Sequence, residues 1–238
     1  MKTDHSSFKL VLALVILGAF IVLFSSASAA EAKPKAKHAR VRIGAFQSSN
    51  GNSGTINSTV TRGGGETTRN GTLTNQTGQT ATHTADRTWD KTTSTGTVSS
   101  STTGFNGATT SRQGTAVKNA DGSISGQGTI TGPKGKNSTY ADTTTKTANG
   151  STTTGTITRA DGQTATVNSS VTKTAPGDVT RDTTVTGANG QTLEKDVATK
   201  INLDGTGTRV VEVTKPDGTT ETRTETFAVT DTGASSKP

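Results

Sequence analysis

Asp161-Gly162-Gln163-Thr164-Ala165-Thr166-Val167-Asn168-Ser169-Ser170-Val171-Thr172-Lys173-Thr174 reads as a tight turn followed by a strand. Asp-Gly tolerates the positive φ that short hairpin turns demand. Behind it, Thr164, Thr166, Asn168, Ser170, Thr172 and Thr174 alternate with Ala165, Val167, Ser169, Val171 and Lys173. A period of two puts hydroxyls on one face of a strand and a partly apolar set on the other. The same registry follows Gly218, where Thr220, Thr222, Thr224 and Thr226 oppose Glu221, Arg223, Glu225, Phe227 and Val229. It also follows Gly78, where Thr80, Thr82 and Thr84 oppose Ala81, His83 and Ala85.

Working outward, this unit repeats. Gly51, Gly78, Gly107, Gly135, Gly162, Gly190 and Gly218 recur every 27 to 29 residues, the spacing of one supersecondary unit per repeat. A second turn falls inside each unit, at Gly65, near Thr93-Ser94, then at Gly122, Gly150, Gly177, Gly205 and Gly233. Each unit therefore offers two strand-length segments joined as a hairpin. The second segment carries a stamp: Gly71-Thr72-Leu73-Thr74, Gly128-Thr129-Ile130-Thr131, Gly155-Thr156-Ile157-Thr158 and Thr183-Thr184-Val185-Thr186. Its aliphatic residue, Leu73, Ile130, Ile157, Val185 or Val213, lies five before the next primary glycine and is the core candidate; Phe46 holds the same place. Thr102 breaks the pattern, which predicts a degenerate or bulged third repeat.

The fold expected is all-β, an antiparallel meander or β-solenoid of about seven two-stranded repeats over 45–233, elongated or coiled in preference to a rolled shell. Few large apolar residues fall in each repeat. A side chain gains about 1.5 to 3 kcal/mol when fully buried, against roughly 1 to 2 kcal/mol of ordering entropy for every residue. No repeat stands alone, so stability must come from stacked neighbours. The alternative is a largely disordered low-complexity chain, because Thr, Gly, Ser and Asn dominate.

Ahead of the repeats, Lys2 and Lys9 flank a polar start, Leu10 to Phe24 is apolar, and Ala27-Ser28-Ala29 supplies small residues. Residues 1–29 read as a cleavable secretory signal, too short in its apolar run for a membrane span. This implies a secreted or periplasmic protein with no span after cleavage. Residues 30–44 read as a flexible basic arm, in which Lys33, Lys35, Lys37, Arg40 and Arg42 outweigh Glu31 and offer contact with polyanions. The full chain carries +7. Residues 234–238 read as a disordered tail.

The composition excludes several chemistries. The chain has no cysteine, so disulfides, thiolate metal sites and cysteine nucleophiles are absent. No Gly-x-Ser-x-Gly elbow, His-x-x-x-His pair or phosphate-cradling glycine loop occurs. Each Asp-Gly aspartate stands alone, which calcium loops do not allow. The expectation is a non-enzyme without catalytic, cofactor or metal residues. His83 shares a face with Ala81 and Ala85 and reads as a packing residue.

The Gly-Thr-[Ile/Val/Leu]-Thr stamps and Asn/Asp-Gly turns resemble the Thr/Gly-rich secreted or surface β-repeat proteins of Gram-negative bacteria. That resemblance implies a structural or adhesive protein of the envelope or extracellular space, touching envelope polysaccharide, matrix polymer or its own kind, with no specific nucleic acid partner. The alternative is an ice- or carbohydrate-binding module using the Thr-x-Thr rows Thr129/Thr131, Thr156/Thr158 and Thr184/Thr186.

Overall fold

The computed structural model describes residues 37–232. The expected signal segment, Lys33, Lys35 and the 234–238 tail lie outside them. Fourteen antiparallel strands and no helix make up the described chain. They are β1 (His38–Ser48), β2 (Ser53–Gly63), β3 (Glu66–Asn75), β4 (Thr80–Asp90), β5 (Thr95–Thr103), β6 (Thr109–Lys118) and β7 (Ile124–Thr131). There follow β8 (Asn137–Thr147), β9 (Gly150–Arg159), β10 (Thr164–Ala175), β11 (Asp178–Thr186), β12 (Thr192–Ile201), β13 (Thr206–Thr214) and β14 (Thr220–Thr232).

Each strand pairs with its sequence neighbours, and β14 returns to pair with β1 from Ala39↔Thr232 to Ser48↔Arg223. The wall is a closed barrel, which corrects the expected open meander or solenoid. An open fourteen-strand sheet would leave two edges with unsatisfied N–H and C=O groups, and closure removes both. β1 also begins at His38. Arg40 and Arg42 are therefore strand residues and not part of a flexible arm.

The two turn classes sort to opposite ends. The primary glycines close the β1–β2, β3–β4, β5–β6, β7–β8, β9–β10, β11–β12 and β13–β14 hairpins at one end, called here the seven-turn end. The other six hairpins and both ends of the described chain lie at the opposite, terminal end. The primary turns share one geometry: at Gly162, φ is 81°, its N–H donates to Arg159 O at 2.9 Å, and Asp161 Oδ1 accepts from Gln163 N at 3.0 Å. At Gly51, Gly107, Gly162, Gly190 and Gly218 the preceding Asp or Asn supplies an Asx bond while glycine takes the left-handed conformation; Lys134 and Thr77 stand at that place before Gly135 and Gly78. Gly150 differs. It opens β9 outside the left-handed region, and a Cβ there would strike the Val171 carbonyl, so close approach is what requires glycine. The expected bulge in repeat three is absent: β4 and β5 pair without interruption, Ser94 takes the positive φ of their turn at 56°, and the register shift falls at Lys173/Ala175 on β10.

Register decides which face is inside. Phe46, Ile130, Val185 and Val213 are buried as expected, Leu73 and Ile157 half-buried, and all six have inward parity. Ala165, Val185, Leu193, Val211 and Val213 form one apolar cluster. Phe46 stacks on Phe105 of the β5–β6 turn at 6.4 Å, although β2, β3 and β4 separate them in the wall. Three aromatic rings come up against glycines: Phe46 against Gly54, Tyr140 against Gly114 and Gly128, and Phe227 against Gly207. The outer face is Thr, Ser and Asn with acids, and its exposed apolar residues, Ile43, Val117 and Val210, are scattered.

A Cβ on Gly128 would sit 2.8 Å from Tyr140 Cε1, and one on Gly207 would sit 2.6 Å from Phe227 Cε2. Gly128→Val and Gly207→Val should each destabilise by about 1 to 3 kcal/mol or more through overpacking. Gly71→Ala, whose Cβ would meet Ser58 Cβ at 3.6 Å, should stay near wild type. Urea melts of the three variants check the contrast.

Candidate functional site: a basic barrel interior

Charge is sorted by the wall. Counting outward along the registers, Glu66, Asp86, Asp90, Asp178, Asp182, Glu194, Asp196 and Glu212 fall on the outer face, with Lys200 the basic strand residue among them. Inward positions hold the reverse. Arg42, Arg69, Arg87, Arg112, Arg181, Lys195, Arg209 and Arg223 line the middle of the interior, with Glu225 and Asp142 as acids. Nearer the terminal end, His38, Arg40, Arg62, Lys118, Lys146 and Lys173 occupy inward register positions, with Asp231 opposite Arg40.

The acids have defined partners. Glu225, 1% exposed, lies 2.8 Å from Arg223, 3.3 Å from Arg42 and 3.5 Å from Arg209. Asp142 accepts from Arg112 at 2.9 Å, and the Arg112 guanidinium lies 3.7 Å from the Tyr140 ring centroid. That stacking combines a cation–π contact with a charge-assisted hydrogen bond. Arg42 likewise covers Phe227 at 4.9 Å. These arginine side chains keep 15 to 33% of their surface. The buried apolar groups keep 8% or less. The interior thus presents guanidinium to a solute, beside half-buried apolar residues such as Val60, Leu73, Trp89 and Ile157.

Crowding of like charge in a partly dehydrated space shifts the bases downward. Burial, reinforced by Arg209, Arg223 and Arg181 and opposed by Glu225, brings Lys195 to about 7. Burial with Arg69, Arg87 and Lys195 nearby brings His83 to about 4. His83 Nδ1 lies 2.8 Å from Thr102 Oγ1, so the threonine that breaks the aliphatic stamp holds this imidazole. Arg69 and Arg87 are each lowered to about 10 by burial first and neighbouring arginines second. β3 and β4 carry Arg69, His83 and Arg87 while β11 to β14 carry Arg181, Lys195, Arg209 and Arg223, so two arcs of wall contribute.

The residues singled out from sequence are dispersed. Lys37 pairs with Glu66 at 3.1 Å and Arg40 with Asp231 at 2.8 Å, both exposed. Arg42 points inward to Glu225. Thr129, Thr131, Thr156, Thr158, Thr184 and Thr186 all have outward parity. Register aligns Thr129, Thr139, Thr158 and Thr164 in one row, and Thr156, Thr166, Thr186 and Thr192 in another. The interior cations were missed. Their signal was present, since Arg87, Arg209 and Arg223 take the strand parity opposite to every threonine of their strands, and Arg69, Arg112 and Arg181 the parity opposite to most of them.

Compared with protein-family models and with curated proteins, the sequence has no match in either.

Lys195 supplies a pH test. Its folded value of about 7 lies below its ordinary 10.5, so between these the unfolded chain binds a proton that the folded chain does not. Stability should climb as pH rises from about 7 to 10.5, and Lys195→Met should flatten that climb. Chemical denaturation across this range measures it. Glu225→Gln leaves three guanidiniums without their shared carboxylate and should destabilise by about 3 kcal/mol, with added sulfate restoring more melting temperature to the variant than to wild type.

Proposed function

We propose that this chain is an exported, non-enzymatic binding protein that holds anionic ligands inside a hydroxyl-coated barrel. One observation carries the reading: bases face in and acids face out across a wall one residue thick. Guanidinium groups match carboxylate, sulfate and phosphate oxygens in bidentate geometry. They act more strongly in a confined, partly dehydrated space than at an open surface. Fourteen strands make a wider tube than the eight-strand barrels that side chains just fill. The outer acids repel polyanions from the wall and leave the basic terminal end as the attractive route. A lipid-facing wall would need a continuous apolar band with aromatic girdles, and the outer Thr/Ser/Asn surface supports a barrel surrounded by water.

The threonine rows support a second, compatible role, the structural or adhesive one expected from sequence. Rows that continue across four strands multiply weak hydroxyl contacts with polysaccharide on one scaffold. Ice is the narrower version of the same surface.

Isothermal titration with tripolyphosphate tests the main reading. Binding should be saturable, absent for a neutral trisaccharide, and weakened about tenfold or more when salt rises toward 1 M, where screening shortens to about 3 Å. Equal weak binding of both solutes would overturn it. Thr156→Val with Thr186→Val should lower retention on envelope polysaccharide while leaving the tripolyphosphate isotherm unchanged.

A further inference from the structure

We infer that the ligand is a linear, hydrophilic polyanion that enters by the terminal end and lies along the barrel axis. The inference rests on the reading of the interior as an anion site and adds the shape, polarity and direction of its occupant. Polarity comes from what is accessible. An amphiphile would need a continuous apolar lining for its tail, yet most large apolar residues of the seven-turn end are buried: Leu193 is 0% exposed, Val185 and Ile56 2%, and Phe46 4%. Leu73 and Ile157 are half-buried there, while the interior arginines keep 15 to 33% of their side-chain surface.

Shape comes from the spread of the bases along single strands. Arg112 in the middle and Lys118 at the terminal end stand six residues apart on β6 with the same inward parity, about 20 Å along the strand at roughly 3.3 Å per residue. A compact anion reaches one of these depths, whereas a chain of oxyanions reaches both. Arg62 on β2 and Lys173 on β10 repeat the terminal-end position elsewhere around the wall, and both are exposed. Direction comes from the contrast between ends. At the seven-turn end the inward positions are apolar or neutral apart from Arg159 and Glu221, and Phe105 stacks on Phe46. Chains of phosphate and chains of uronate share this chemistry, and the guanidinium fork accepts both.

The test measures affinity of the purified protein for tripolyphosphate, long-chain linear polyphosphate, oligogalacturonate and the compact inositol hexakisphosphate. It is repeated on a variant carrying Arg62→Ser, Lys118→Ser and Lys173→Ser. These three side chains are exposed, and an unchanged melting temperature verifies the fold. Affinity should rise at least about tenfold from the short to the long phosphate chain as more bases are engaged. The triple variant should lose about tenfold for the long chain and less than about twofold for tripolyphosphate. Comparison of oligogalacturonate with polyphosphate of equal charge identifies the source chemistry. Inositol hexakisphosphate binding as tightly as the long chain, or a variant loss equal for short and long chains, would overturn the linear occupant while leaving an anion site. Absence of binding by every anion would overturn the anion site itself. A single-stranded oligonucleotide preferred over polyphosphate of equal charge would assign the interior to nucleic acid instead.

Discussion

The pairing of β14 with β1 is the constraint on which the rest depends. Before that seam forms, a meander of this composition has two exposed faces and two open edges. Once it forms, one face becomes interior and every side chain is committed by parity. The seam is also where charge concentrates. Glu225 of β14 pairs by register with Phe46 of β1, and its carboxylate gathers Arg42 from β1, Arg209 from β13 and Arg223 from its own strand. An ion cluster of this kind is poor evidence for net stability, because dehydration offsets much of the attraction. Its physical value lies in specificity: a seam slipped by one residue would put Glu225 outside and leave the guanidiniums facing one another.

A thin core suffices because the wall supplies other cohesion. Backbone ladders close on themselves without an edge, so every strand is paired on both sides. Hydroxyls bridge strands on both faces, as in Thr144 to Thr153 and Ser169 to Thr183 inside, and Thr88 to Thr97 and Thr103 to Thr109 outside. Such cross-strand pairs each contribute a few tenths to about 1 kcal/mol. Tyr140 and Phe227 lie over glycines and cover backbone that has no side chain of its own. The few aromatics thus serve as lids on glycine-rich patches, with arginines stacked above them.

Much of the fold was legible in sequence because its signals are local. Asp161 and Gly162 announce a turn through their own backbone preferences, and Ala165, Val167 and Val171 announce a face by alternation. The stamp aliphatics fell inside as read. Where the reading failed, the missing information was spatial. Gly150 looked like one more left-handed turn glycine, yet its role is to let β9 approach Val171 on β10. Arg40 and Arg42 looked like members of a loose basic arm, because nothing in residues 38–44 reveals a partner strand that lies at the far end of the chain. Arg69, Arg87 and Arg181 drew no reading from sequence, because nothing local to them says which face of the sheet becomes the inside.

The sequence by itself determined the number and length of strands, the turns between them, and which residues share a face, since each of these follows from backbone preference and a period of two. It also set most of the threonines on one side and the arginines on the other. Only the tertiary structure decided which side is inside. Closure is a contact between residues nearly two hundred positions apart, and no local preference encodes it; the wall curls so that bulky aliphatics, aromatics and guanidinium stems gain shelter while most of the compact hydroxyls stay in water.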